Sequence, residues 1–434
     1  MIDLGLKPVT LKIAIPQKYK RVVEILQKVA EITDKIFNIQ KEKRYGNFDI
    51  DDSRHSRAEN VMTTGEDEPK EISYYEYFKD EINEIADLLD STDIPKFKKI
   101  AEALKNKEDI DFLKIKTILH EDSEDIHLTF GPFEQYSDPR RIRTDFQCDA
   151  LIRSDRYKDV ASLFENEDYN KWIPESFRVL RKAEPHFFIG DLFVVGGFNS
   201  DFLAMAQVLP NEPSIRREYG TMINISANVI EGKIKNNITP IGESILGKKI
   251  DINNANKAEV IVTLAHEIMH TVGRKREDYA NIKEHVTFEE GKAISGSLMS
   301  VWEIVKENPH LSSIMRTVIE LDLTNYIRYL LRGVDFAYGA YSSYALSQLE
   351  KTNAISISED LISINSEEKY IETVRQLQSE MLEVVANHNV EVHDKVLTEI
   401  RDFWNSKKIE PILNKVRRAN IYRDIKPTFE LGYI

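Results

Sequence analysis

The sequence predicts an α+β fold in which helices outnumber strands. Towards both ends of the chain, apolar residues recur every three or four positions, which is the period of an amphipathic helix. The middle of the chain instead has short β-branched and aromatic runs that glycine and proline interrupt, as strands do. A chain of 434 residues can form more than one lobe and a sizeable core.

The elements follow from this spacing in chain order. A helix is predicted over residues 17–40, followed by a polar loop over 47–70. Helical pattern resumes over 74–120, with a break near residues 90–93. The predicted strands are 127–130, 187–189 and 192–195. From about residue 253 the chain is predicted to be helical almost to its end, in candidate helices 255–273, 284–307, 310–350, 366–387, 390–404 and 408–419.

Composition narrows the class of protein. Apolar residues make up 41% of the chain and charged residues 30%, as in ordinary globular proteins. The net charge of −14 argues against a nucleic-acid partner, which would need clustered lysine and arginine. Cys148 is the only cysteine, so an internal disulfide and a Cys₂-type zinc site are excluded and a reducing compartment is favoured.

Nothing in the sequence indicates a membrane or an export route. Residues 1–15 lack the basic, apolar and small-residue regions of a signal peptide. No apolar stretch approaches the roughly 20 residues that cross a bilayer. We therefore expect a cytoplasmic protein with no membrane partner. The oligomeric state is left open by the sequence.

The strongest chemical signal is His-Glu-Ile-Met-His at residues 266–270, inside an apolar helical run. On a helix, His266 and His270 are one turn apart and share a face. Two imidazoles so placed can bind one Zn²⁺, and Glu267 can reach a metal-bound water as a general base. An accidental match on a core helix is the alternative, but the scarcity of histidine, with ten in the chain, favours a metal site.

A zinc hydrolase needs a third protein ligand and one open position for water. The best candidate lies about 20 residues after His270, where Glu289 and Glu290 stand together in another helical stretch. Either carboxylate could meet the imidazoles from a neighbouring helix, so the residues alone leave two choices. The alternative for each glutamate is that it is an exposed charged residue on the helix surface and binds no metal.

Several segments in one order resemble the dipeptidyl-peptidase III family of zinc peptidases, including its shorter bacterial members. The resemblance runs from about Leu128 to the C-terminus and does not cover the first 120 residues. Its segments are Leu128–Asp138, Val208–Asn211 with the following Ile215–Gly220, the His266–His270 motif, Phe288–Ala293, and a late helix over Asp335–Ile355.

This resemblance implies a set of roles. Glu290 would be the third zinc ligand, with His266 and His270, and Glu267 would be the catalytic base. Glu289 would lie beside the metal. The residues that match positions holding the free amino terminus of a bound oligopeptide are Glu134, Tyr136 and Asn211. The implied fold has two lobes around a wide cleft, one with a β-barrel-like core and the other mainly helical and zinc-bearing.

Four positions depart from the family pattern. Val208 replaces an asparagine of the amino-terminal clamp, and Ile294 replaces an acidic residue that would orient a zinc-bound imidazole. Ala337 stands where the family has a histidine that steadies the transition state, and Tyr341 where it has a polar substrate-binding residue. Tyr338 or Tyr341 could supply a replacement hydroxyl donor; the alternative is an aromatic packing stripe.

These observations predict a zinc metallopeptidase of the gluzincin type, with one Zn²⁺ per chain and oligopeptide substrates, that releases N-terminal dipeptides. Two alternatives remain: a catalytically impaired homologue that binds peptides or a protein, and an endopeptidase with one protein target. We expect three regions: an N-terminal helical region (1–125), a mixed segment with substrate-binding strands (126–250) and a helical catalytic region (251–434).

Overall fold

The computed structural model describes most of the chain. The described residues are 5–45, 61–64, 70–106, 112–119, 121, 125–134, 144–165, 167–178, 185–201, 203–210, 216, 218–273, 285–419, 421–422 and 424–434.

Strands and helices alternate in blocks along the described residues. The strands are β1 (Leu6–Ile15), β2 (Val61–Thr64), β3 (Lys70–Ser73), β4 (Ile126–Glu134), β5 (Asp145–Arg153), β6 (Pro185–Gly197), β7 (Ala206–Leu209), β8 (Thr221–Ser226), β9 (Ile355–Ile357), β10 (Ile362–Ile364) and β11 (Asp424–Tyr433). The helices are α1 (Lys20–Tyr45), α2 (Tyr74–Tyr77), α3 (Lys79–Asp90), α4 (Pro95–Lys105), α5 (Leu113–Ile118), α6 (Lys158–Ala161), α7 (Phe198–Asp201), α8 (Ala227–Lys233), α9 (Thr239–Leu246), α10 (Ile252–Thr271), α11 (His285–Glu307), α12 (Ser312–Leu330), α13 (Ala337–Lys351), α14 (Glu367–Asn387), α15 (Val390–Asn405) and α16 (Glu410–Arg418).

The chain divides into two compact units. The helical unit comprises Met1–Leu11, Arg156–Arg181 and Ala227–Thr428. The sheet unit comprises Lys12–Asp155, Lys182–Ser226 and Phe429–Ile434. Most of the expected N-terminal region and of the expected strand segment lies in the sheet unit, and the expected catalytic region lies almost wholly in the helical unit. None of the described helices combines the length and apolar content that a membrane crossing requires.

The sheet unit is built on five strands in the order β4-β5-β6-β8-β7. All neighbours are antiparallel except β6 and β8, which are parallel. Helix α1 packs on one face, where a Cβ added at Gly196 would lie 2.7 Å from the carbonyl oxygen of Ala30. The described strands form an open sheet with β4 and β7 at its edges, so the predicted barrel-like core is wrong. The mixed α+β class is confirmed.

The helical unit packs α10 against α11, and α11 against α14. The contact between α10 and α11 is close because Gly296 has no side chain: an added Cβ would lie 2.8 Å from Cγ and Sδ of Met269. The same helix approaches α13 at Gly291, where an added Cβ would lie 2.5 Å from the Tyr341 ring. Two glycines that follow Glu290 therefore allow α11 to pack tightly against α13 and α10.

Three differences between the predicted and observed elements bear on the architecture. The predicted helix over 310–350 is two helices, α12 and α13, separated by a turn in which Gly333 has a φ of +91°. Strand β2 lies inside the predicted loop over 47–70, most of which is outside the described residues. Strand β11 follows the last helix and pairs with β1, although the chain was predicted to stay helical almost to its end.

Helix α12 carries a buried carboxyl group that makes stability depend on pH. Tyr370 donates a hydrogen bond to Oδ2 of Asp322 at 2.6 Å, and the carboxyl is 9% exposed. Burial raises the pKa of Asp322 to about 7, although the hydrogen bond from Tyr370 and the nearby Tyr326 hydroxyl partly oppose this shift. The folded protein therefore holds a proton there that the unfolded chain releases near the ordinary aspartate pKa of 3.8. The stability contributed by this proton is present at low pH and is lost as the pH rises through about 7.

We expect Asp322→Asn to make the protein more stable than wild type above pH 7, with a difference that shrinks as the pH falls. Asparagine mimics the neutral carboxyl and keeps the oxygen that accepts from Tyr370. The free energy of unfolding, measured in urea at about pH 8 and about pH 5, checks this. Asp360→Asn, at an exposed carboxylate of the same unit, is the control. A difference that does not change with pH would contradict the account.

Candidate metal centre

The two motif histidines lie on α10, as the helical spacing predicts. The helix begins where the Asp251 side chain accepts a hydrogen bond from the Asn254 backbone N–H at 2.7 Å, which caps its N-terminus. It ends at Thr271, one residue after His270. His266 and His270 are therefore held on the last turns of a 20-residue helix, and their Nε2 atoms lie 3.1 Å apart.

Glu290 on α11 completes the group. Its Oε2 lies 3.4 Å from Nε2 of His266 and 3.6 Å from Nε2 of His270, and the residue is 5% exposed. These three residues are the one group of potential metal ligands found among the described residues, with ligand atoms within 4.8 Å of one another. From the Glu289–Glu290 pair that the sequence offered, the structure brings the second member to both imidazoles.

The geometry fits a tetrahedral zinc site. Zinc bonds of about 2.0–2.2 Å at tetrahedral angles place neighbouring donor atoms about 3.3–3.6 Å apart. The three separations here are 3.1, 3.4 and 3.6 Å. Two imidazoles and one carboxylate are also the donor set of a well-known class of catalytic zinc sites, which keep the fourth position for water. The residues present therefore fit Zn²⁺.

Glu289 lies behind this group and orients one imidazole. Its Oε1 is 3.2 Å from Nδ1 of His270, which fixes the tautomer so that Nε2 is left for a metal. The Nζ atom of Lys292 lies 2.9 Å from the same oxygen and donates to the Val272 carbonyl at 3.2 Å. Lys292 is 2% exposed. Lys292 was not singled out from the sequence. Its position three residues after Glu289 on a predicted helix could have indicated this ion pair, because residues three apart on a helix are neighbours.

Charges at the group favour a cation. Burial acts to lower the pKa of His266, but the hydrogen bond to Glu290 and the charges of Glu267, Glu290 and Glu289 raise it above its ordinary value. Burial acts to raise the pKa of Glu290, but His270, His266 and the Tyr338 hydroxyl lower it below its ordinary value. Three carboxylates thus act on one imidazole, and the local field attracts positive charge.

Of the two tyrosines considered as hydroxyl donors, Tyr338 lies at the site. Its ring stacks on His266 with centroids 6.5 Å apart, and its hydroxyl acts to lower the pKa of Glu290. Tyr341 is fully buried, with its ring 6.1 Å from that of Tyr326, and it packs behind Gly291. The burial of Tyr341 favours the packing alternative for this residue.

Of the three residues predicted to hold a peptide amino terminus, Glu134 lies in the sheet unit. Glu134 ends β4, is 5% exposed and accepts from Nε2 of Gln207 at 3.3 Å. Tyr136 and Asn211 lie outside the described residues. Val208, which replaces an asparagine of the family pattern, lies on the edge strand β7.

Comparison with known proteins gives the fold. The sequence matches no protein-family model and no curated protein. The structure of a dipeptidyl-peptidase III from Caldithrix abyssi matches with a TM-score of 0.81 at 18% identity, over 98% of both chains. A dipeptidyl-peptidase III from Corallococcus sp. strain EGB matches with a TM-score of 0.77 at 18% identity, over 98% of this chain and 95% of that one. This chain therefore has the fold of the dipeptidyl-peptidase III structures, as the sequence resemblance implied.

Proposed function

We propose that this chain is a zinc-dependent metallopeptidase that hydrolyses oligopeptides, with one Zn²⁺ held by His266, His270 and Glu290. The observation that carries the proposal is the spacing of the three ligand atoms, 3.1 to 3.6 Å, on two packed helices. The likeness to two structures named dipeptidyl-peptidase III supports a peptidase.

The chain's own residues supply the acid–base chemistry. Zn²⁺ bound at this site would lower the pKa of a coordinated water and polarise a peptide carbonyl. Glu267 follows His266 on the last turns of α10 and serves as the general base that takes the water proton and passes it to the leaving amine. Tyr338, already at the ligand group, donates its hydroxyl hydrogen to the developing oxyanion. In this role it takes the place of the family histidine that Ala337 replaces.

We infer that three residues set the register of the substrate. Glu134, Tyr136 and Asn211 hold the free amino terminus of the peptide through hydrogen bonds to its ammonium group. A fixed amino terminus determines which peptide bond meets the metal, so the products include N-terminal dipeptides. The experiment compares free peptides with the same peptides acetylated at the N-terminus. We expect dipeptide release from the free peptides and slower cleavage of the acetylated ones; equal cleavage would instead favour an endopeptidase.

We expect Lys292→Met to lower zinc affinity about 10-fold, at the low end of the 10–100-fold range for partners that orient metal ligands. Methionine keeps the length and apolar stem but leaves Glu289 without its ammonium partner, so His270 is held less firmly. Competition with a metal-binding dye measures the affinity. Lys306→Met, at an exposed lysine of the same helix, is the matched control. Unchanged affinity in Lys292→Met would show that the lysine does not act on the metal site.

A further inference from the structure

A pocket separate from the metal-ligand group lies in the sheet unit. It encloses about 300 Å³ of space outside the protein atoms, part of it open to solvent. Its lining residues are Asp149, Leu151, Leu192, Asn199, Leu203, Ala204, Ala206, Gln207, Asn224 and Ser226. The Cys148 thiol lies beside Thr33 on α1, so the next side chain along β5, that of Asp149, points to the opposite face of the sheet. The pocket is therefore on the face that α1 does not cover.

Two buried hydrogen-bond acceptors in the pocket have no donor among the described residues. Asp149 is 6% exposed and Asn224 5% exposed, and Oδ1 of each has no hydrogen-bond partner among the described residues. The other Asp149 oxygen accepts from the side-chain amide of Asn199. Gln207 donates to Oδ1 of Asn199 at 3.3 Å, which fixes the orientation of that amide. The Asn224 amide donates to Oγ1 of Thr129 at 3.0 Å, so its Oδ1 is also held in one orientation. Two buried acceptors of fixed orientation thus face the pocket without a donor among the described residues.

The buried Asp149 carboxyl favours a cationic ligand in the pocket. Burial raises the pKa of Asp149 to about 7, and the hydrogen bond from Asn199 only partly opposes this shift. A buried carboxylate without a paired charge is costly, and a cationic group in the pocket would stabilise the charged form. Five of the lining side chains are apolar, from leucine and alanine, so the walls suit an aliphatic chain.

We propose that this pocket is a specificity pocket for the side chain of a lysine residue in a bound peptide. The aliphatic stem would lie against the leucine and alanine walls, and the ammonium group would donate to the unpartnered oxygens of Asp149 and Asn224. The inference rests on the proposed function for its ligand, a peptide. It names the class of substrate that the function alone leaves open.

The space favours an ammonium over a guanidinium group. The part of the pocket that a water-sized group can occupy is small, and an ammonium is of that size. A guanidinium is a wider planar fork that needs two acceptors in one plane, whereas an ammonium is a compact point charge with three donors. Arginine in the same peptide position should therefore bind less well than lysine.

The experiment measures peptide binding by calorimetry to the full chain carrying Glu267→Gln, so that cleavage does not interfere. The probes are alanine-based hexapeptides with lysine at each position in turn, and matched peptides with norleucine or arginine there. At one position, we expect lysine to bind at least about 10-fold tighter than norleucine, because hydrogen bonds to charged groups are strong. Asp149→Asn should reduce this preference to about 2-fold or less.

Two further variants keep the test sharp. Asp201→Asn, at an exposed carboxylate of the same unit, should leave the lysine preference unchanged. Ala206→Leu fills the pocket without changing charge and should also remove the preference, which covers the case in which Asp149→Asn fails to fold. Equal binding of lysine and norleucine at every position, or no binding of any peptide, would overturn the proposal and leave a water-filled pocket.

The test of the lysine pocket can fail or succeed independently of the test of the proposed peptidase function. A lysine preference in binding, together with no cleavage by wild type, would support the pocket and overturn the peptidase. Cleavage of peptides without any lysine preference in binding would support the peptidase and overturn the lysine pocket. A lysine preference that survives in Asp149→Asn, or arginine that binds as tightly as lysine, would contradict the assignment of the ammonium to Asp149.

Discussion

Glu267→Gln should lower peptidase activity by at least about 100-fold while leaving the zinc content unchanged, since general acid–base catalysis contributes 10²–10⁴-fold. Glutamine has nearly the same shape but cannot take a proton from water. His266 and His270 remain on α10, so metal binding does not depend on this side chain. Steady-state cleavage of a peptide and zinc per chain by mass spectrometry are measured on the same preparation.

The control for this variant is Glu303→Gln, which removes the same charge from a half-buried glutamate on α11 that pairs with Lys306. Its activity should equal that of wild type. Full activity in Glu267→Gln would remove Glu267 from the mechanism. Loss of activity together with loss of zinc would show that Glu267 serves the metal site structurally and not as a base.

Glu290→Ala should remove both zinc and activity. This residue is the carboxylate that closes the triangle with His266 and His270, and two imidazoles one turn apart cannot alone complete a tetrahedral site. We expect a loss in zinc affinity of more than about 100-fold, larger than the 10–100-fold effect of groups that merely orient ligands. Because the variant also removes a buried charge, its folding is checked by circular dichroism and thermal unfolding.

Glu307→Ala, at the exposed end of the same helix, is the matched control and should keep wild-type zinc. Wild type should lose thermal stability when a chelator removes its metal, whereas Glu290→Ala should respond much less because it holds little metal to remove. Stoichiometric zinc in a folded Glu290→Ala protein would show that another residue supplies the third ligand.

Local pattern predicted the helices that carry the site. The apolar spacing around His266 predicted α10, and the fixed geometry of a helix then placed His270 one turn away. The residues alone could not choose between Glu289 and Glu290, because that choice depends on how α11 is rotated against its neighbours. Close approaches at Gly291 and Gly296 determine this rotation, and they arise only once the helices pack.

Non-local pairing explains what the sequence did not predict. Strand β11 pairs with β1 from the other end of the chain, and no local period indicates that partner. The break in the predicted 310–350 helix had a local signal in the sequence, namely Gly333 and Gly339. Gly333 adopts the left-handed conformation in the turn. Gly339 leaves room for that turn, because an added Cβ would lie only 2.0 Å from the Gly333 carbonyl oxygen. Asp149 was not singled out because only the folded sheet brings its Oδ1 and that of Asn224 into one pocket, where neither has a donor among the described residues.

The central claim is that His266, His270 and Glu290 hold a zinc ion that this chain uses to cleave peptides. The most direct measurement determines zinc per chain and the cleavage products of a mixed peptide library in one preparation, before and after chelation and after Zn²⁺ is restored. We predict one zinc per chain, release of N-terminal dipeptides, loss of cleavage on chelation and its recovery with Zn²⁺. Purified protein without stoichiometric zinc, or cleavage that persists in full after the metal is removed, would contradict the claim.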